Sequence, residues 1–98
     1  MILEVAQLDV LPTRTDEFEG AFAEASAIIS SAPGYLSHEL QRCIETPRQY
    51  VLLVRWETLE DHTEGFRGSD GYQEWKRLLH HFYAPFPTVR HFEPVHRG

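Results

Sequence analysis

The spacing of apolar residues switches between the period of a strand and that of a helix along the whole chain, and the order of the switches leaves few folds open. From Ile2 to Leu11 the period is two, with Leu3 and Val5 on one side and Ile2, Ala6, Leu8 and Val10 on the other, so the segment reads as a strand covered on both faces. Pro12 ends it. From Thr15 the period lengthens: Phe18, Ala21, Phe22, Ala25, Ile28, Ile29 and Ala32 form one face of an amphipathic helix. Thr15 is its expected N-cap, Asp16 and Glu17 favour the positive end of the helix dipole, and Pro33-Gly34 stops it.

Two strands follow, Tyr35 to Ile44 and Gln49 to Glu57, joined by the polar turn Glu45-Thr46-Pro47-Arg48 as a β-hairpin. Leu36, His38 and Leu40 share a face on the first, while on the second Tyr50, Leu52, Val54 and Trp56 oppose Val51, Leu53 and Arg55. Thr58 caps a short helix with Leu59, His62 and Phe66 inward. Ser69-Asp70 opens another that buries Tyr72, Trp75, Leu78, Leu79 and Phe82 until Ala84-Pro85-Phe86-Pro87 ends it. The closing strand, Thr88 to Val95, sets Val89, His91, Glu93 and Val95 against Arg90 and Phe92.

Strand, helix, strand, strand, helix pair, strand is the split βαβ plan of an α+β, ferredoxin-like fold, with helices on one face of a four-stranded antiparallel sheet. The 98 residues have room for one such domain, 1–98. The strands are apolar on both sides, so the helix-free face is expected to pack on a second copy, giving a homodimer with its sheets face to face.

Nine Lys and Arg against fifteen Asp and Glu give a net charge of -6, which leaves no basic surface for phosphates and disfavours nucleic acid and anionic membranes as partners. Apolar runs such as Val51-Leu52-Leu53-Val54 fall far short of the roughly 20 residues a membrane helix needs. The start, Met1-Ile2-Leu3-Glu4, lacks a basic export signal, and the expected location is cytoplasmic. The single Cys43 has no internal disulfide partner.

Few residues carry chemistry. His62, between Leu59 and Phe66 on the inner helix face, reads either as a general base or ligand anchor, or as a core histidine bonded to a backbone carbonyl. Trp56, Tyr72, Trp75, Phe82, Tyr83 and Phe86 suit the walls of a site for a flat aromatic ligand, and equally suit a core. Arg67 can hold an anionic oxygen, or simply face solvent at a helix end. His80 and His81 point about 100° apart on a helix and cannot share a metal. His91 and Glu93 share a strand face but lack a third ligand, and His38 has the same ambiguity as His62 in a poorer setting. No HExxH, Cys pair, P-loop, Gly-x-Gly-x-x-Gly or Gly-x-Ser-x-Gly is present, so no metal site is expected and nucleotide and serine-hydrolase chemistries lack their defining elements.

Ala32-Pro33-Gly34-Tyr35-Leu36, Tyr50 through Trp56-Glu57, Glu60-Asp61-His62 and Gly65-Phe66-Arg67-Gly68-Ser69 together resemble the antibiotic biosynthesis monooxygenase family over nearly the whole chain. The shared features are a Pro-Gly before the second strand, an aromatic-acidic end to the third, and a His-x-x-Ser-like helix, in which His62 takes the His position and Ser69 follows at a longer spacing. The resemblance implies a dimeric α+β barrel with a pocket in each monomer, and oxidation of an aromatic polyketide or quinol by molecular oxygen without metal, flavin or haem. It implies His62 as base and Arg67 steadying the anion, with Tyr72, Trp75, Trp56, Phe66 and Phe82 around the substrate and no cofactor. A haem-degrading branch uses an Asn, a Trp and a His where Gln7, Phe66 and Lys76 stand here, so haem degradation is disfavoured. The competing expectation is a dimeric module of the same fold that binds an aromatic or fatty ligand without turnover.

Overall fold

The computed structural model describes residues 1–98. Strands β1 (Ile2–Asp9), β2 (Tyr35–Arg42), β3 (Gln49–Trp56) and β4 (Val89–Phe92) form one antiparallel sheet in the order β2-β3-β1-β4, and helices α1 (Thr15–Ser30) and α2 (Asp70–Leu79) pack on one face of it. A wide π-type helical turn, Asp61–Phe66, precedes α2 and a 3-10 turn, His80–Phe82, follows it. This is the ferredoxin-like arrangement expected from the alternating periods.

Alternation decides what is buried. On β3 Tyr50, Leu52, Val54 and Trp56 face the helices and are buried, and on β1 Glu4, Ala6 and Leu8 do the same. Phe18, Phe22, Ala25 and Ile29 of α1 and Trp75 and Leu79 of α2 close on them. Each large apolar side chain removed from water here contributes about 1.5–3 kcal/mol. The opposite face keeps Leu3, Val5, Val51 and Leu53 half-buried and Phe92 exposed.

The details depart from the sequence pattern where pairing partners run out. β1 stops at Asp9, Val10 forming only an isolated bridge to Tyr83, and β4 stops at Phe92 because it pairs only with Leu3–Ala6; Val95 lies fully outside. Thr15 is the first residue of α1 rather than its cap, a place taken by Arg14, whose carbonyl accepts from the Phe18 N–H. Leu36 does not share a face with His38 and Leu40. The register slips by one between Tyr35 and Ser37, so Tyr35 and His38 both face inward and Leu36 is the extra, exposed residue of a bulge.

Two caps set the helices below the sheet. Thr58 Oγ1 accepts from the Asp61 N–H and Asp61 Oδ2 accepts from the Thr58 N–H, a reciprocal capping box that starts the turn carrying His62; Leu59, expected inside, is left exposed on its outer side. Gly34 has φ +82 and a Cβ there would collide with the Asp61 carboxylate, so only glycine fits beneath that cap. Ser69 Oγ accepts from the Tyr72 N–H and caps α2 as its sequence position suggests. No helix is long and apolar enough to cross a membrane.

Candidate functional site

A cavity of ≈ 350 Å³ lies between the sheet and the helices. Its origin is the small side chain of Ala6, which pairs with Leu52 on one side and Val89 on the other and so leaves space under α1 and α2. Phe22, Ile29, Leu52, Phe66, Trp75 and Leu79 make most of the wall apolar. Tyr72, His80 and Tyr83 line it as well, and Phe86, 65% exposed, belongs to the wall and to the outer surface at once.

Its polar part is built from three elements. Glu4 of β1, His62 of the π-type turn and Arg67 just beyond that turn all line the cavity, and Glu4 and His62 are 5% and 4% exposed. Trp56 Nε1 donates to Glu4 Oε1 at 3.0 Å, and the same oxygen stands 3.4 Å from His62 Nε2. His62 Nδ1 and His91 Nε2 share a hydrogen bond of 2.8 Å. The His62 ring lies nearly parallel to Trp56, with centroids 5.4 Å apart and planes 21° apart. His62 is therefore held by side chains, not by the backbone carbonyl of an ordinary core histidine.

Burial sets the charge states. It pushes the His62 imidazolium down to about 3, with the Arg67 guanidinium and then His91 adding to the effect, so His62 is a neutral imidazole at ordinary pH. Burial raises the Glu4 carboxyl above its usual range, against the opposing pull of the Trp56 hydrogen bond and of Arg67. The same desolvation lowers His91, helped by Arg67, and lowers His80, helped by Lys76. An acid whose neutral form is favoured thus faces an imidazole whose neutral form is favoured, in a largely apolar chamber. With Glu4 ionised beside neutral His62, the pair can accept one proton and return it without forming a buried imidazolium.

Of the residues singled out from the sequence, the fold brings His62, Arg67, Phe66, Tyr72 and Trp75 to one cavity. It does not bring Trp56 or Phe82 to its wall. Trp56 is fully buried behind the site, where it supports His62 by stacking and Glu4 by hydrogen bonding. Phe82 leaves the α2 face because the helix tightens to a 3-10 turn at His80; its ring packs on Phe18 at 5.9 Å with the Arg14 guanidinium 4.8 Å above it. His38 accepts or donates at Tyr35 Oη, 2.5 Å away, and His81 lies against Phe82, so neither lines the cavity. No group of three His, Cys, Asp or Glu is arranged to hold a metal ion, and Cys43 lies on the far hairpin beside Glu45 and Thr46.

Sequence reasoning misses Glu4 altogether and weighs His91 only as a metal ligand with Glu93. Glu4 stands in the inward register of β1 between Ile2 and Ala6, and a carboxylate at an apolar-face position was the available signal. His91 faces inward beside it, paired with Glu4 across β1 and β4.

The likeness to known proteins extends over this whole arrangement. A family model described as "Antibiotic biosynthesis monooxygenase" matches residues 1–78, which include β1, the hairpin, His62, Arg67 and all but the last residue of α2. An uncharacterized protein of Bacillus subtilis (strain 168), YczJ, is 58% identical over 95 residues, covering 97% of this chain and 100% of its own. Among solved structures, a candidate antibiotic biosynthesis monooxygenase from Bordetella bronchiseptica superimposes with a TM-score of 0.92 at 38% identity, over 96% of each chain. SnoaB of Streptomyces nogalater, a cofactor-independent oxygenase, shares the fold with a TM-score of 0.84 at 20% identity, over 98% of this chain and 94% of its own. With its sheet order, its cavity under the two helices and a matching model over most of its length, the chain belongs to the antibiotic biosynthesis monooxygenase family.

Proposed function

We propose that the cavity binds a flat, hydroxylated aromatic molecule of the polyketide or quinol type and that the protein oxidises it with molecular oxygen. The observation that carries this reading is the contact of two buried groups, Glu4 and His62, on the wall of an aromatic-lined cavity to which the exposed Arg67 also contributes. Family membership and the fold shared with a cofactor-independent oxygenase support it.

In this reading Trp75, Phe66 and Tyr72 hold the ring system, and Glu4 in its ionised form, beside neutral His62, takes the acidic proton of the phenol or of its keto form. Arg67 steadies the resulting anion. The anion passes one electron to O2, and the substrate radical and superoxide combine to form a C–O bond. The peroxide anion then takes the proton back from the pair. Loss of the second hydrogen on that carbon, with cleavage of the O–O bond, leaves a carbonyl and water. A CH2 group and O2 become C=O and H2O, and the substrate supplies all the electrons. The apolar wall keeps water from the anion until oxygen has reacted. The outer sheet face, with Leu3, Val5, Val51, Leu53 and Phe92, packs on a second copy of the chain.

The test is oxygen uptake by metal-stripped protein with a panel of slowly autoxidising anthrones and hydroquinones, beside His62→Ala and Glu4→Gln controls. Protein-dependent uptake that falls about 100-fold or more in either variant supports the assignment. No uptake across the panel, with aromatic ligands still binding, would make the protein a binding module of the same fold.

A further inference from the structure

Glu4 sits at the cavity, but its connection to water runs elsewhere. His62 Nδ1 is 2.8 Å from His91 Nε2, and His91 is half-buried on β4, an edge strand of the sheet. The other His91 nitrogen, Nδ1, makes no hydrogen bond within the protein, and the sole buried side-chain polar atom left without a partner is Arg14 Nε; His91 Nδ1 therefore meets water. On the inner side, His62 Nε2 is 3.4 Å from Glu4 Oε1, a few tenths beyond a normal hydrogen bond. Trp56 Nε1 donates to that same oxygen, which accepts from the indole on one side while it faces His62 on the other. Carboxyl, imidazole, imidazole and water form one continuous row.

We propose that Glu4, His62 and His91 are a proton relay, through which the carboxyl at the cavity exchanges its proton with solvent while a ligand fills the cavity. The relay rests on the functional reading above only for its purpose, not for its existence. It has two states that differ by one proton. With Glu4 ionised, His62 carries its hydrogen on Nε2 toward the carboxylate, and its bare Nδ1 accepts from His91 Nε2–H. When water protonates His91 Nδ1, the Nε2 proton of His91 passes to His62 Nδ1 and the Nε2 proton of His62 passes to Glu4. The end state is a neutral carboxyl and two imidazoles carrying hydrogen on Nδ1, and neither end state contains an imidazolium. Charge along the row comes from Arg67, beyond the π-type turn; β3 presents only uncharged Trp56, and β4 presents His91 itself. His62 and His91 are thus proton carriers acting through Glu4.

The relay is visible without any ligand. Nitrogen-15 shifts of labelled histidines, followed through the titration of Glu4, are expected to show His62 and His91 moving together from the Nε2–H to the Nδ1–H tautomer while both remain neutral. Glu4→Gln should leave both tautomers fixed over the same pH range. Tautomers that stay fixed in the wild-type protein would overturn the proposal.

A second measurement gives the rate. Alizarin, a hydroxylated anthraquinone whose colour reports its ionisation, is bound to the protein and subjected to a pH jump. His91→Gln keeps a hydrogen bond on His62 Nδ1 but passes no proton, so it should bind the dye as tightly as the wild type and ionise it about 100-fold more slowly. His91→Gly should recover with added imidazole. Ionisation by His91→Gln at the wild-type rate would refute the relay. If alizarin fails to bind the wild-type protein, the aromatic-ligand reading of the cavity falls, and the tautomer measurement still decides the relay.

Discussion

Replacing His62 by glutamine should flatten the acid side of the protein's stability profile. In the unfolded chain this imidazole takes its proton near 6.5, and in the folded protein only at about 3, because burial and the nearby Arg67 oppose the charge. A group whose folded value is depressed holds the unfolded state's extra proton as pH falls, so its contribution to stability is present above about 6.5 and is lost below it. At pH 5 the unfolded imidazole is almost fully charged and the folded one is still neutral. The gap of roughly 1.5 pH units at about 1.4 kcal/mol each amounts to about 2 kcal/mol lost between pH 7 and pH 5. For a domain of this size that loss lowers the melting temperature by about 8–16 °C. Glu4 acts in the opposite sense: its folded value is raised, so its contribution is present below the ordinary carboxylate range and is lost as pH rises through the folded value. His38 and His80 are depressed too, lie outside the contacts of His62 and remain in both proteins, so the difference between wild type and His62→Gln reports His62 together with its partners Glu4 and His91. The assay is urea unfolding at pH 7 and pH 5 at one fixed protein concentration, read by the fluorescence of buried Trp56 and Trp75. If His62→Gln loses as much stability over that interval as the wild type, His62 is not the buried neutral imidazole described above.

Three further substitutions examine how the site is built. Gly34→Ala forces a methyl group into the Asp61 carboxylate at a positive φ and breaks the Thr58–Asp61 cap; about 2 kcal/mol, or about 8–16 °C in melting temperature, should be lost, and an unchanged melt would contradict the packing. Ser69→Ala leaves the Tyr72 N–H unpaired at the start of α2 and should cost about 1 kcal/mol by urea unfolding, with no loss if water replaces the cap without penalty. Leu53→Asp puts a charge on the outer sheet face without touching the inner core; light scattering should show the dimer proposed above for the wild type and monomer for the variant, and a monomeric wild type or a variant of unchanged mass would refute the face-to-face packing.

The frame of the molecule was open to sequence reasoning wherever a residue's fate depends on its near neighbours. The buried row Tyr50, Leu52, Val54, Trp56 follows from period two, the buried row Phe18, Phe22, Ala25, Ile29 from period 3.6, and the caps at Thr58 and Ser69 from side chains three residues away from the amides they bind. Leu36 and Phe82 were misplaced because one extra residue in β2 and one tightened turn after α2 shift everything beyond them, and periodicity carries no mark of either. The site is different in kind. Glu4 meets Trp56 across 52 residues, and His62 meets His91 across 29, so no local rule links them. Yet each is an anomaly in its own row: a carboxyl in the inward register of β1, an imidazole on the inner side of a short helical turn, an imidazole alternating inward with Val89. A domain of 98 residues has one core, and burying an unpaired carboxyl or imidazole in it costs several kcal/mol. Polar residues at inward positions of separate elements must therefore satisfy one another, and where they gather beside a small residue such as Ala6, the core opens into a chamber with an acid–base pair on its wall.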